Sequence, residues 1–364
     1  MESTNNYRKT LFSGLAIGIL SSLLVLLGNP VNMGFCIACF IRDSVGALGL
    51  HKAAAVQYLR PEIIGIVLGS FLCAVFFREY RPKGGSAPLT RFLLGFFVMI
   101  GCLVFLGCPF RMVIRLAGGD LNALLGLFGF FVGILAGIFF LNKGFSLGRT
   151  YSQPKSEGAA FPLLQIVLFL LLIFGSSFLF FTEAGAGPGA KHAPILISLA
   201  AGLAVGALAQ RTRFCMVGGI RDSILFREWG LLFGFFGVLL GCLAANLILT
   251  AATESSYFML AFEGQNIAHT DGLWNALGML LVGFGCTLLG GCPLRQLVLS
   301  GEGSSDSAIA VLGLAAGAAF SHNFGLASSA AGPTNAGKIA VIIGIAAVAA
   351  IGVINSFGKG GNSK

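Results

Sequence analysis

Ten apolar runs constrain this chain more than any other feature. They lie near residues 11–28, 61–77, 91–107, 121–141, 162–182, 193–209, 229–250, 273–291, 307–322 and 338–356. Hydrocarbon offers backbone N–H and C=O groups no partner, so a run of about 17 to 25 apolar residues crosses a bilayer as a helix whose hydrogen bonds close within it. Composition leaves no room for a water-facing fold. Hydrophobic residues make up 56% and charged residues 10% of the chain, against roughly 25% charge in a soluble domain. The expected fold is an all-α integral membrane protein of about ten transmembrane helices.

The net charge of +9 does not indicate nucleic acid, because the basic residues sit singly in short loops between apolar runs. With Arg8 and Lys9 cytoplasmic, alternation of the spans puts 16 basic residues inside and 7 outside. That excess predicts cytoplasmic termini. The first run is expected to be a retained span and not a cleaved leader, since Asn29-Pro30 follows it where a small-residue cleavage site would stand. Nine cysteines are too few for a disulfide scaffold and read as free thiols. His51, His192, His269 and His322 stand far apart in the chain, which argues against haem or structural zinc, and no metal or cofactor is expected.

Four segments between the runs are too short to cross: 29–50, 108–120, 210–227 and 292–306. They carry an internal repeat. FCIACFIRD at 35–43 matches FCMVGGIRD at 214–222 at five of nine positions, and GCLVFLGCPFR at 101–111 matches GCTLLGGCPLR at 285–295 at six of eleven. One module therefore occurs twice, as residues 1–182 and 183–364. Each copy holds five crossings and two short re-entrant or loop helices. An odd number of crossings inverts the second copy relative to the first, an arrangement that places a binding site at the repeat interface. Residues 142–161 read as a cytoplasmic linker and 357–364 as a disordered tail.

The short segments hold the chemistry. Proline is favoured as the first residue of a helix, so Pro109 and Pro293 would place Cys108 and Cys292 at helix N-caps, with the glycines before them ending the incoming helices. A thiol there meets unpaired amides at the positive end of a helix, which suits a passing anion. Arg111 and Arg295, three residues on, add guanidinium groups for an oxyanion. Cys36, Cys108, Cys215 and Cys292 recur at matched positions and are the candidate translocation residues. Cys73, Cys102, Cys242 and Cys286 read as packing. A redox or metal role for Cys36 and Cys39 is disfavoured because Gly218 stands opposite Cys39 in the second copy. Arg42-Asp43 and Arg221-Asp222 read first as ion pairs or caps fixing a bend, and second as solute contacts. No phosphate loop is present.

The stretches GFCIACFIRD, FLGCPFRMVIRLAGGD, QRTRFCMVGGIRD and GGCPLRQLVLSGEGSSDS resemble the YeeE/YedE sulfur-transport family, in its YedE-type selenium-transporter branch. The resemblance implies an hourglass-shaped protein of the bacterial inner membrane that is not an enzyme. It implies passage of a selenium- or sulfur-containing anion along Cys36, Cys108, Cys215 and Cys292, with a TusA-like (YedF-type) sulfurtransferase as cytosolic partner. Both late motifs here read Cys-Pro-x-Arg, unlike thiosulfate-transporting relatives, which favours a selenium compound over a thiosulfate-like ion. The alternative is a membrane thiol-transfer protein that hands persulfide or selenosulfide to a cytosolic carrier.

Overall fold

The structure, a computed structural model, describes residues 2–357. Its helices fall into two sets of seven in the same order. The first set is α1 (Glu2–Leu26), α2 (Ile37–Ala47), α3 (Pro61–Phe76), α4 (Pro88–Phe105), α5 (Pro109–Ala117), α6 (Asn122–Asn142) and α7 (Lys155–Phe174). The second is α8 (Ile195–Thr212), α9 (Met216–Leu225), α10 (Gly230–Ala252), α11 (Gly272–Leu289), α12 (Pro293–Gly301), α13 (Ser305–Asn323) and α14 (Asn335–Phe357). In each set the second and fifth helices are short. The chain is an all-α integral membrane protein, and among the described residues nine helices are long and apolar enough to cross a membrane.

The tenth expected span, 307–322, is the helix α13, but its composition falls short of that standard. Asp306, Ser307, Ser321 and His322 lie in it among alanines and glycines. It nevertheless packs on α4 as its counterpart α6 packs on α11. Two boundaries also move. α7 starts at Lys155, so the last residues of the expected linker are helical and the span ends at Phe174, where Gly175 breaks the run. Tyr151–Ser152 (β2) pairs antiparallel with Lys83–Gly84 (β1), so the linker is tied down and not a bare connector. Of the expected disordered tail, Phe357 closes α14 and 358–364 lie outside the described residues.

The two sets interlock. α1 packs on α10 and α8 on α3; α6 packs on α11 and α13 on α4; α5 meets α10 and α12 meets α3. Exchanging the sets maps each of these contacts onto another, while α1·α8 and α4·α11 map onto themselves. The last helices break the exchange, α7 lying on α3 and α14 on α4 and α11.

Paired glycines make the close approaches possible. Gly14 and Gly18 of α1 face Gly237 and Gly241 of α10, and Gly65 and Gly69 of α3 face Gly202 and Gly206 of α8. In lipid, where apolar surface gives helices no reason to associate, such small-xxx-small stripes let backbones touch and gain dispersion contact. A Cβ at Gly18, Gly65, Gly202 or Gly237 would stand 2.5 Å from a carbonyl oxygen across the interface. Gly237→Leu is therefore expected to force α1 from α10 and cost about 1–3 kcal/mol or more. A lowered melting temperature in detergent would register it; an unchanged one would refute the close packing.

Candidate functional site

All four repeat cysteines open short helices. Cys36 caps α2 and Cys215 caps α9, each in extended backbone. The amide of Cys39 donates to the Cys36 sulfur at 3.4 Å and that of Gly218 to the Cys215 sulfur at 3.3 Å. Each thiol thus takes one of the orphan N–H groups of a helix start. Cys108 and Cys292 occupy the cap positions of α5 and α12 ahead of Pro109 and Pro293. The Cys108 sulfur makes no cap hydrogen bond in its own helix, and the Arg295 amide acts on the Cys292 sulfur, so the expected meeting of thiol and helix-start amide is clearest at Cys36 and Cys215.

The reason lies in pairing. The Cys36 thiol neighbours those of Cys108 and Cys39, and the Cys215 thiol neighbours that of Cys292, whose amide also donates to the Cys215 sulfur at 3.5 Å. Each set thus brings its two N-cap thiols together. Cys102 on α4 and Cys286 on α11 lie between the pairs. Cys102 is within electrostatic reach of Cys286, Cys36 and Cys39, and Cys286 is within reach of Cys215. Those two cysteines read as packing in the sequence, and the structure brings them near the repeat cysteines. Their signal was present in the Gly-Cys that opens both copies of the second motif. None of these thiols is more than 7% exposed, so any path along them is closed in this conformation.

The incoming helices end differently from expectation. In the second set Gly290 takes the left-handed conformation that terminates α11, with φ of 88°. In the first set the matched Leu106, not Gly107, does so, with φ of 61°. A leucine there is strained by about 1–2 kcal/mol. Its carbonyl is held by Arg111, which also donates to Asn32 O at 2.9 Å, Ile267 O at 3.1 Å and the Cys39 sulfur at 3.7 Å. Arg111 is fully buried and forms no ion pair among the described residues. Its counterpart Arg295 has gone another way, donating to Glu302 at 3.0 Å beside a cavity.

Arg42 and Asp43 form a buried ion pair at 2.6 Å, and Arg60, which the sequence did not flag, joins Asp43 at 2.8 Å. Arg221 and Asp222 pair at 2.8 Å but remain partly exposed. Glu62 at the start of α3 is also buried. It accepts from Asn29 at 2.9 Å and Ser198 at 3.2 Å, which fixes the loop leading to Cys36 against the second set. The histidines, distant in sequence, are not all distant in space: His51 stacks on His322 with ring centroids 4.7 Å apart. No cluster of three or more metal-ligating side chains occurs among the described residues.

The two matched sets, the buried thiols at helix starts and the apolar helices are what a membrane carrier of a soft anion would need. A comparison with curated proteins returned no match. The family model described as Sulphur transport matches residues 211–357, which run from the end of α8 through Cys215 and Cys292 to the end of α14. Over its second set of helices the chain is thus similar to the YeeE/YedE sulphur-transport family.

Proposed function

We propose that this protein carries a small selenium- or sulfur-containing anion across the bacterial inner membrane. The route is Cys36 and Cys108, then Cys102 and Cys286, then Cys215 and Cys292. One observation carries the reading: the N-cap thiols meet in two pairs, one per set, with a further matched pair of thiols between them. With five long helices per set, the second set enters the membrane inverted, both termini face the cytoplasm, and the cysteine line runs from one face to the other. A TusA-like sulfurtransferase is the proposed cytosolic acceptor.

The chemistry suits a polarisable anion. Thiols are weak hydrogen-bond donors, and the N-terminal ends of α2, α5, α9 and α12 contribute partial positive charge. Arg111 supplies a buried positive charge beside the Cys36–Cys108 pair. Farther along, Arg221, the cation that acts on Cys215, is already paired with Asp222, so an ion can enter and still leave, as conduction requires. The test is uptake of labelled selenite, thiosulfate and sulfate into proteoliposomes containing only this protein. Selenite or thiosulfate is expected to enter well above empty liposomes, and sulfate, which lacks a polarisable sulfur or selenium terminus, poorly. No uptake of any of the three would overturn the reading.

A further inference from the structure

A cavity of about 270 Å³ lies between the two sets, and no cysteine lines it. Glu79, Arg81 and Lys83 line it from the first set; Gln210, Arg213, Arg295, Leu299, Glu302 and Ser304 line it from the second. Its wall is built and not incidental. The Arg81 amide donates to Glu302 O and the Lys83 amide to Gly303 O, each at 3.1 Å, so the extended strand after α3 is laced to the end of α12. Arg213 ends α8 in the left-handed conformation, with φ of 54°, two residues before Cys215.

The charges are unevenly matched. Glu302 is engaged by Arg295 at 3.0 Å, and Glu79 by Arg211 at 2.8 Å and Gln210 at 2.6 Å. The Gln210 hydrogen bond, followed by Arg211 and Arg213, holds the Glu79 carboxyl below the usual carboxylate range, so it stays ionised and occupied. Arg81, Lys83 and Arg213 form no ion pair among the described residues. A concave, solvent-open site therefore presents three cations outside any ion pair among the described residues, and two carboxylates that are already engaged.

We infer that this cavity binds a small doubly charged oxyanion and serves as the vestibule at the Cys215–Cys292 end of the path. Guanidinium groups hold such an ion through paired N–H donors, and Lys83 adds a point charge. Binding itself follows from the cavity; only its place at the end of a path rests on the transport reading.

Titration calorimetry of the full-length protein in detergent, with thiosulfate as probe, tests it. Wild-type protein is expected to bind, more weakly as ionic strength rises. The double variant Arg81→Gln/Arg213→Gln is expected to bind about tenfold or more weakly, the scale of losing charge-assisted hydrogen bonds. Cys292→Ala separates the cavity from the thiols. Glu302→Gln, which frees Arg295 to face the cavity, should bind more tightly, and it decides the matter if the double variant does not fold. The vestibule is overturned if wild type does not bind, if a folded double variant binds equally well, or if Glu302→Gln binds less tightly. Binding lost in Cys292→Ala but kept in the double variant would place the ion on the thiols, sinking the vestibule and sparing the transport reading. The reverse pattern, with uptake indifferent to the cysteines, would spare the vestibule alone.

Discussion

Alanine at Cys108 or at Cys292 is expected to reduce solute uptake by about tenfold or more, towards the level of empty liposomes, while leaving the protein folded. The first half of that expectation follows from position. Each is one member of a thiol pair at the junction of two helix starts, and removing it leaves an anion facing a methyl group where it had a donor; an unmade interaction to an ion is worth about 1.5–3 kcal/mol. The second half follows from what these thiols do not do. Cys108 accepts no hydrogen bond from its own helix, so alanine removes no cap there, and at Cys292 it removes only the contact with the Arg295 amide. The cost is one buried sulfur's worth of packing. Cys36→Ala and Cys215→Ala are poorer probes, because each also deletes an N-cap acceptor, worth about 0.5–2 kcal/mol. Uptake in proteoliposomes and melting temperature in detergent, measured on the same preparations, separate the two effects. Wild-type uptake in both Cys108→Ala and Cys292→Ala would remove the thiols from the path. Intact mass during turnover separates relay from chemistry: added sulfur or selenium would mean that the ion is handed over covalently, as in a thiol-transfer protein.

The legible parts of this molecule are those fixed by local pattern. Span-length apolar runs gave the helices, and Cys-Pro after Leu-Gly or Gly-Gly gave the short-helix starts at 109 and 293, because proline's fixed φ and missing N–H act within one turn. The repeat was legible because both copies kept residues that contact or cap. What sequence could not supply is set by contacts between distant segments. Cys102 and Cys286 come near each other only because α4 packs on α11, and in one dimension each is a small apolar residue in a helix. Arg60 joins Asp43 from 17 residues away, and His51 reaches His322 across the two sets. Leu106 was hidden for a different reason. Glycine is the ordinary residue for a left-handed helix end, and here a leucine stands in that conformation with its carbonyl accepting from the Arg111 side chain. Sequence identity also masked divergence: Arg111 and Arg295 match in the repeat, yet one is buried among carbonyls and the other is paired with Glu302 at a cavity wall.

The same divergence makes the Ile-Arg-Asp motif respond oppositely in its two copies. Asp43 is completely buried and is the one carboxylate between two buried guanidiniums, Arg42 and Arg60. Arg60 in turn donates to Pro188 O and Lys191 O, in the loop before α8, and lies over the rings of Phe40 and Tyr58. Asp43→Asn keeps the shape but removes the one negative charge paired with them among the described residues and turns an N–H₂ group towards two cations. Breaking a buried pair in this way costs about 3–5 kcal/mol, because the uncompensated charge remains out of water. Two such charges remain here. Asp222, by contrast, meets Arg221 where both side chains keep contact with solvent, at 16% and 21% exposure. Water replaces much of what its loss removes, and Asp222→Asn is expected to cost about 0–1 kcal/mol. In thermal unfolding followed by size-exclusion chromatography, Asp43→Asn should melt roughly 5–10 °C lower or fail to accumulate, and Asp222→Asn within about 2 °C of wild type. The pairing of the two variants guards against a trivial result, since both replace the same residue in the same motif at the same helix position. Equal shifts would mean that burial does not decide the strength of these pairs. The expected contrast would instead assign the first copy to holding α2 against the second set, and leave Arg221 the less committed of the two arginines for contact with solute.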